Sequence, residues 1–528
     1  MTHATLLTSA LALLAGAAVA QEAAPVAQTA DPWFTQGAAA VAARAGVQPN
    51  TGTARNVILF VGDGMGVGTN YAIRLFEGQR QGGLGDDYRL SYEAFPYSGL
   101  VKTYSTNGQT PDSAPTATAL NTGVKTRNDV IGVTDAVAVE DCAAALDPAN
   151  QLTTFADIAD GMGKSVGIVS TARITHATPA GVFARTASRD WEGSVPEGCA
   201  QRDIATQLFD EMTAGRIDVA LGGGRENFLP ESATDPEGEP GARLDGRDLV
   251  TELTAAGVQY AWNQATFDAL STGGDAPILG LFESSHMLYE ADRVDEPSLA
   301  DMTATAIEAL GANEQGFYLM VEAGRIDHAN HAGNLYRTVT DGAAFADAVA
   351  RAVAMTDPAE TLIIVTADHE HAIAFNGYCG RGSSVIGLCM EIDPAGVANT
   401  GEPVLADDGK PYTVTGFLNG PGSIIRVVPP EDAAATAMGA ASPPPPEVAA
   451  DLADAVDAAN PELARALITE AMATDPDYVQ QALIPLASET HSGEDVGIWA
   501  TGPWAQLLTG SLEQNEVFHV MNWAVGQR

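Results

Sequence analysis

One pattern constrains the fold of this 528-residue chain more than any other: short, uninterrupted apolar runs that stop abruptly at polar, chemically capable residues. Asn56–Val61 runs into Gly62-Asp63-Gly64, Val166–Val169 into Ser170-Thr171-Ala172-Arg173, and Ile217–Leu221 into three glycines. Phe317–Val321 runs into Glu322, and Leu362–Val365 into Thr366-Ala367-Asp368-His369. A strand with one wet face alternates polar and apolar residues. A continuous apolar run belongs to a strand covered on both faces. Ala/Leu-rich segments of helical length lie between the runs. The expected fold is therefore α/β, a doubly wound, mostly parallel central sheet with helices on both faces. In such sheets ligands bind beyond the carboxyl ends of the strands, where the polar residues fall here.

Residues 376–480 break the pattern and read as a surface insertion, with a Pro-rich segment at 431–478 that holds Pro443–Pro446 and a helical-looking stretch, Glu447–Met472. A last strand is expected at Val496–Trp499. The main domain would run from 51 to 528. Ahead of it, residues 1–20 read as a signal peptide, with an apolar stretch Leu6–Ala20 that ends in Ala18-Val19-Ala20. Residues 31–50 read as an arm that is helical over Asp31–Ala45. No other stretch is long and apolar enough to span a bilayer. The segment Val517–Arg528 lacks the hydrophobic tail of a lipid-anchor signal. The expectation is an exported protein, periplasmic or secreted, with no membrane anchor. Its four cysteines, Cys142, Cys199, Cys379 and Cys389, then imply two disulfides. Three pairings are open, and a local Cys379/Cys389 bridge is the simplest.

Lys and Arg number 26 against 68 Asp and Glu, a net charge of −42. That argues against nucleic acid or an anionic membrane as partner, since both are bound by basic patches. Carboxylates in such number suit divalent cations. Among nine histidines, His328, His331, His369, His371 and His491 sit directly after strand ends. Asp327 and His331 have i,i+4 spacing, which puts both on one face of a helical turn. Asp368-His369 follows a buried strand, and Asp63 lies in a Gly-rich turn. Nitrogen and carboxylate donors together suit zinc, and added oxygen donors suit magnesium. Two metals about 4 Å apart form a clamp for in-line phosphoryl displacement. Ser113, behind Pro111-Asp112 at the start of an Ala-rich helix, would meet free backbone N–H groups there.

Seven ordered stretches resemble the alkaline phosphatases: Val61–Gly66, Pro111–Ala114, Val169–Pro179, Leu221–Arg225, Glu322–His331, Thr366–His371 and Glu489–Asp495. The pattern is closest to the animal tissue-type branch. The resemblance implies metal-dependent hydrolysis of phosphate monoesters at alkaline pH through a phosphoserine on Ser113. It implies one zinc held by Asp327, His331 and His491, a second by Asp63, Asp368 and His369, and a magnesium by Asp63, Thr178 and Glu322. Arg189 would clamp the phosphate through its planar fork, and His371 would orient the zinc ligands. His176 and His328 stand where some members carry Asp and Lys, which favours zinc or cobalt at the third position. Asp112 would support the same region. Pro115 replaces the small residue usual after Ser113-Ala114.

Animal-type relatives also bind calcium, and Glu237, Phe282 (through its carbonyl), Glu283 and Glu296 align with that set. The resemblance pairs Cys142 with Cys199, likens residues 376–480 to a crown-like insertion, and implies a homodimer embraced by the N-terminal arm. Phosphodiesterases and sulfatases of the same superfamily are the alternative. Ser113-Ala114-Pro115-Thr116-Ala117 lacks the arginine that the sulfatase motif needs at its fifth place, and the diesterases generally use Thr. A non-enzymatic, calcium-dependent surface protein would leave the ligand set unexplained.

Overall fold

In a computed structural model of the chain, residues 27–274, 276–396, 398–424 and 465–527 are described. The signal peptide expected at 1–20 lies outside them, as does most of the Pro-rich segment. The strands are β1 (Asn56–Gly62), β2 (Tyr97–Lys102), β3 (Ser165–Arg173), β4 (Val219–Gly223) and β5 (Gln259–Ala261). There follow β6 (Ile278–Leu281), β7 (Phe317–Ala323), β8 (Thr361–Ala367), β9 (Glu370–His371) and β10 (Ile373–Phe375). The last are β11 (Thr415–Gly420), β12 (Ala482–Pro485), β13 (His491–Ser492), β14 (Val496–Thr501) and β15 (Gly510–Glu513).

Ten of them form one sheet in the order β15-β2-β14-β8-β1-β7-β3-β4-β6-β5. All neighbours are parallel except β14, which runs antiparallel to both β8 and β2. Every expected apolar run is a strand of this sheet, and β7 and β8 are buried at every residue. Side chains such as Ile58, Leu59 and Phe60 are wholly buried, each worth roughly 1.5–3 kcal/mol. The register sets Val61 beside both Glu322 and Thr366, and Gly62 beside both Ala323 and Ala367. The carboxyl ends of β1, β7 and β8 therefore finish level, and the loops that carry Asp63, Asp327 and Asp368 start from one line.

Residues 1–48 and 49–528 are separate units. The first holds helix α1 (Pro32–Ala45), capped by Asp31 Oδ1, which accepts from the N–H groups of Trp33 and Phe34. In the second, α2 (Val67–Arg80) follows the Asp63 turn and α3 (Ser113–Thr122) carries the serine. All ten residues of α3 are buried. They are mostly Ala and Thr, and Thr118 and Thr122 donate their hydroxyls back to the carbonyls of Ala114 and Thr118. Gly123, at φ 75°, ends the helix in the left-handed conformation that suits glycine.

Residues 376–480 contribute β11 to a three-stranded sheet, β10-β11-β12, whose other two strands flank that segment, and they hold a small core of Leu388, Ile468 and Ala473. Of the expected helical stretch 447–472, the residues up to 464 lie outside those described, and Glu470–Ala473 forms a single turn. Both expected disulfides are present, Cys142–Cys199 and Cys379–Cys389. No helix among the described residues is long and apolar enough to cross a membrane.

Candidate active site

Ser113 sits at the first turn of α3, and Asp112 caps that helix by accepting from Ala114 N at 2.7 Å. The serine is almost wholly buried. Its Oγ lies 3.3 Å from His369 Nε2 and 3.5 Å from Asp63 Oδ1. The polar ends of β1 and β8 thus meet the helix N-terminus at one hydroxyl.

Three groups of donors converge around it. In the first, Asp327, His331, His371 and His491 bring their ligand atoms within 4.8 Å of one another. Asp327 and His331 share a face of the helix Arg325–His331, as the i,i+4 spacing requires. Asp327 Oδ1 lies 3.4 Å from His331 Nε2 and 3.2 Å from His491 Nε2. Burial alone would raise Asp327, but the surrounding histidines hold it well below the usual carboxylate range. His371 differs from its neighbours. Its Nε2 lies 2.7 Å from Asp327 Oδ1 and its Nδ1 2.5 Å from Glu489 Oε2. Against burial, these two carboxylates push its pKa up to about 10. An imidazolium that donates from both nitrogens has no lone pair to offer a metal.

The second group is Asp63, Asp327 and His369. Both Asp63 Oδ1 and Asp368 Oδ2 lie 3.3 Å from His369 Nε2. Adjacent residues Asp368 and His369 are turned inward together by the loop after β8. Burial, then repulsion from Asp368, Asp327 and Glu322, raises Asp63 well above its ordinary value. Burial brings His369 down to about 3, which leaves its ring neutral and able to ligate.

The third group is Asp63, His176 and Glu322. Asp63 Oδ2, His176 Nδ1 and Glu322 Oε1 are buried and find no hydrogen-bond partner. Burial, followed by the charge of Asp368, lifts Glu322 to about 7, against the hydrogen bond from Ser170. His176, expected at the third position, joins this set, and the buried Thr178 Oγ1 likewise finds no hydrogen-bond partner. His176 Nε2 lies 3.0 Å from Arg189 Nη2 and must accept there, because a guanidinium only donates.

Arg189 also donates from Nη1 to Asp112 Oδ1 at 2.9 Å. His328 lies outside the three groups: Arg325 Nη1 donates to its Nδ1 at 2.9 Å, and burial, with His286 beside it, keeps its pKa low. Two site residues escaped the sequence reading. His286 packs on His328 with ring centroids 4.1 Å apart and meets Arg173 through both nitrogens. Glu489 holds His371 through its side chain and His331 through its carbonyl. The run Glu489-Thr490-His491 pointed to Glu489. His286 follows no long apolar run and had no comparable signal.

The acidic set aligned with calcium is only partly assembled. Glu283 and Glu296 interact, and burial together with Glu283 lifts Glu296 to about 9. Glu237 is taken up by an ion pair with the fully buried Arg225. Phe282 is part of the core, its N–H bound to Gly222 O at 2.9 Å.

The alkaline phosphatase family profile matches residues 54–527. The tissue-nonspecific alkaline phosphatase of Gallus gallus is 39% identical over 495 residues, 90% of this chain and 85% of that protein. The Homo sapiens isozyme is 38% identical over 493 residues, 90% of this chain and 84% of that protein. Among solved structures, the alkaline phosphatase of Thermus thermophilus superposes with a TM-score of 0.61 at 22% identity, covering 91% of this chain and 93% of that one. That likeness speaks to the fold. The family match, residues 54–527, takes in every strand end that supplies the site, the sequence relatives cover about 90% of the chain, and on that ground the chain belongs to the alkaline phosphatase family.

Proposed function

We propose that this phosphatase cleaves phosphate monoesters at Ser113, with Arg189 holding the phosphate. One observation carries the reading: the Ser113 hydroxyl opens α3 within 3.5 Å of Asp63 and His369, where the donor groups meet.

The donors fit divalent cations. Unpartnered buried oxygens on Asp63 and Glu322, both raised by burial and by the charge of Asp368, are relieved when a cation neutralises them. Neutral His331 and His369 offer lone pairs. Asp327, His331 and His491 would hold one zinc ion, and Asp63, Asp368 and His369 a second. Asp63, Thr178 and Glu322 would hold magnesium, with His176 in reach. When bound, these ions supply positive charge to the phosphate oxygens and lower the pKa of the serine and of water.

The chain's own residues do the rest. Ser113 Oγ attacks phosphorus, the bond from phosphorus to the alcohol oxygen breaks, and the alcohol leaves with a proton. Water then attacks the phosphoserine, inorganic phosphate leaves, and the serine regains its proton. Arg189, braced by Asp112 and His176, presents a preset fork to the phosphate oxygens. His371, held by Glu489, keeps Asp327 aimed. The sharpest test is hydrolysis of p-nitrophenyl phosphate beside the bis-ester and the sulfate ester. Monoester preference that vanishes in Ser113→Ala and on chelation supports the reading, and preference for either other ester overturns it.

The two disulfides support an oxidising location, periplasmic or secreted. The half-exposed Leu418, Leu483 and Ile484 on the β11–β12 sheet support a homodimer that covers them. Calcium between Glu283 and Glu296 would relieve their repulsion, with Arg225 competing for Glu237.

A further inference from the structure

Asp63 and the pair Asp368/His369 approach one another from two loops far apart in sequence. Their separation decides how well they grip one ion, so the contacts that join the loops matter. Helix α2 begins directly after the Asp63 turn. Its N-cap is Gly66, which has no side chain to accept from the first-turn N–H groups. The acceptor comes instead from the other loop. Glu370, 5% exposed, places Oε2 3.2 Å from the N–H of Gly68, the second residue of α2. Its Oε1 accepts from His371 N at 3.2 Å and lies 3.5 Å from Thr69 Oγ1. Accepting at that position is the work of an N-cap side chain, and a carboxylate there also meets the positive end of the helix dipole.

The space is cut to fit. A Cβ on Gly66 would lie 1.8 Å from Glu370 Oε2, so a side chain at residue 66 would have to displace this carboxylate from its present place. On the near side of the turn, Gly64 donates its N–H to Asp368 Oδ1 at 2.9 Å. A Cβ on Gly64 would lie 2.3 Å from His371 Nε2. Both tethers lie just past Asp63 in the chain, and both end on the loop that carries Asp368 and His369. A cap from residue 66 itself would stabilise α2 but leave the loops unjoined. A cap from Glu370 does both.

We propose that Glu370 is a positioning residue, whose carboxylate caps α2 from across the site and so sets the distance from Asp63 to Asp368 and His369 that the second zinc ion needs. The proposal rests on the metal reading above. It is tested on metal-free full-length protein, titrated with zinc against a chromophoric chelator, with melting of the metal-free forms in parallel. Glu370→Ala should lose about 10- to 100-fold of zinc affinity at one site, the usual effect of removing a group that orients a ligand. Adding Gly66→Ser to that variant should restore the melting temperature through a local cap and leave zinc affinity low. Glu370→Asp keeps the charge but is one methylene short, and should also bind zinc weakly. Wild-type zinc affinity in Glu370→Asp overturns the proposal, even where Glu370→Ala does not fold. Recovery of zinc affinity by Gly66→Ser also overturns it, since the cap would then serve helix stability alone. A wild-type protein that takes up no zinc overturns the metal reading itself.

Discussion

Asp112 does three things with two oxygens. Oδ1 caps α3 through Ala114 N and braces Arg189, while Oδ2 accepts from Asp129 N at 2.7 Å. Asn at this position keeps an oxygen for the helix but loses the charge that Arg189 faces. Hydrogen bonds to charged groups are worth about 1.5–3 kcal/mol. Asp112→Asn should therefore weaken inhibition by inorganic phosphate roughly 10- to 100-fold, and it should also lower the melting temperature, because the amide nitrogen cannot accept from Asp129 N as Oδ2 does. An unchanged inhibition constant would remove Asp112 from the phosphate clamp. Asp341 gives a prediction away from the metal groups. It is buried in the helix Leu335–Met355, and burial lifts it to about 8, against the nearby Arg325. A carboxyl raised in the folded state stabilises it fully below the unfolded pKa near 3.8 and loses that stabilisation as pH rises through about 8. Asp341→Asn, neutral at every pH, should raise the melting temperature at pH 9 and change it little at pH 4. Parallel melting curves at both values would refute this. At this scale the sequence revealed side chains whose neighbours in the chain already carried a signal. Asp63, Asp368 and His369 end apolar runs. His286 does not, and what places it is the packing of the segment after β6 against His328 and Arg173.

Elements were legible in proportion to how far they are buried on both faces. β1, β3, β4, β7 and β8 are central, so each had to be written as an unbroken apolar run. β2 follows another rule: Val101 is wholly buried, while Leu100 beside it is 42% exposed. Neither a continuous run nor a clean alternation results, and β2 was not foreseen. β5, with three residues, and β15, with four, are too short to carry a period. The antiparallel sense of β14 was equally hidden, because direction depends on how the chain returns rather than on which residues it uses. Burial also predicts sensitivity to mutation. Ile364→Ala in β8 removes a wholly buried side chain and should cost about 2–5 kcal/mol in denaturant unfolding. Leu100→Ala in β2 should cost about 1 kcal/mol or less. Equal losses would mean that β2 is more central to the core than its exposure says.

For the whole molecule, the site is a charge problem that the sheet creates. Level strand ends bring Asp63, Glu322, Asp327 and Asp368 together inside a chain already at −42. Two cations face them: Arg189, which leans on Asp112, and the His371 imidazolium beside Asp327. Without further positive charge, the carboxylates at this junction are held partly by protons: Glu322 is lifted to about 7 and Asp63 is raised. Such groups stabilise the fold below their unfolded values, near 4.5 for Glu and 3.8 for Asp, and that stabilisation is lost as pH climbs through the folded values. Metal-free protein should therefore melt lower at pH 9 than at pH 5. Bound divalent cations replace those protons, so the metal-loaded protein should gain over the metal-free form as pH rises. Scanning melting against pH with and without chelator checks this. A chelation deficit that is constant from pH 5 to pH 9 would mean that the cations stabilise the fold without relieving buried carboxylates. Salt separates the local effect from the global one. Raising sodium chloride from 0.01 M to 1 M shortens the Debye length from about 30 Å to about 3 Å and so screens the surface charge. It leaves the buried repulsion largely in place, so salt should raise the melting temperature of both forms and fail to close the gap between them at pH 9.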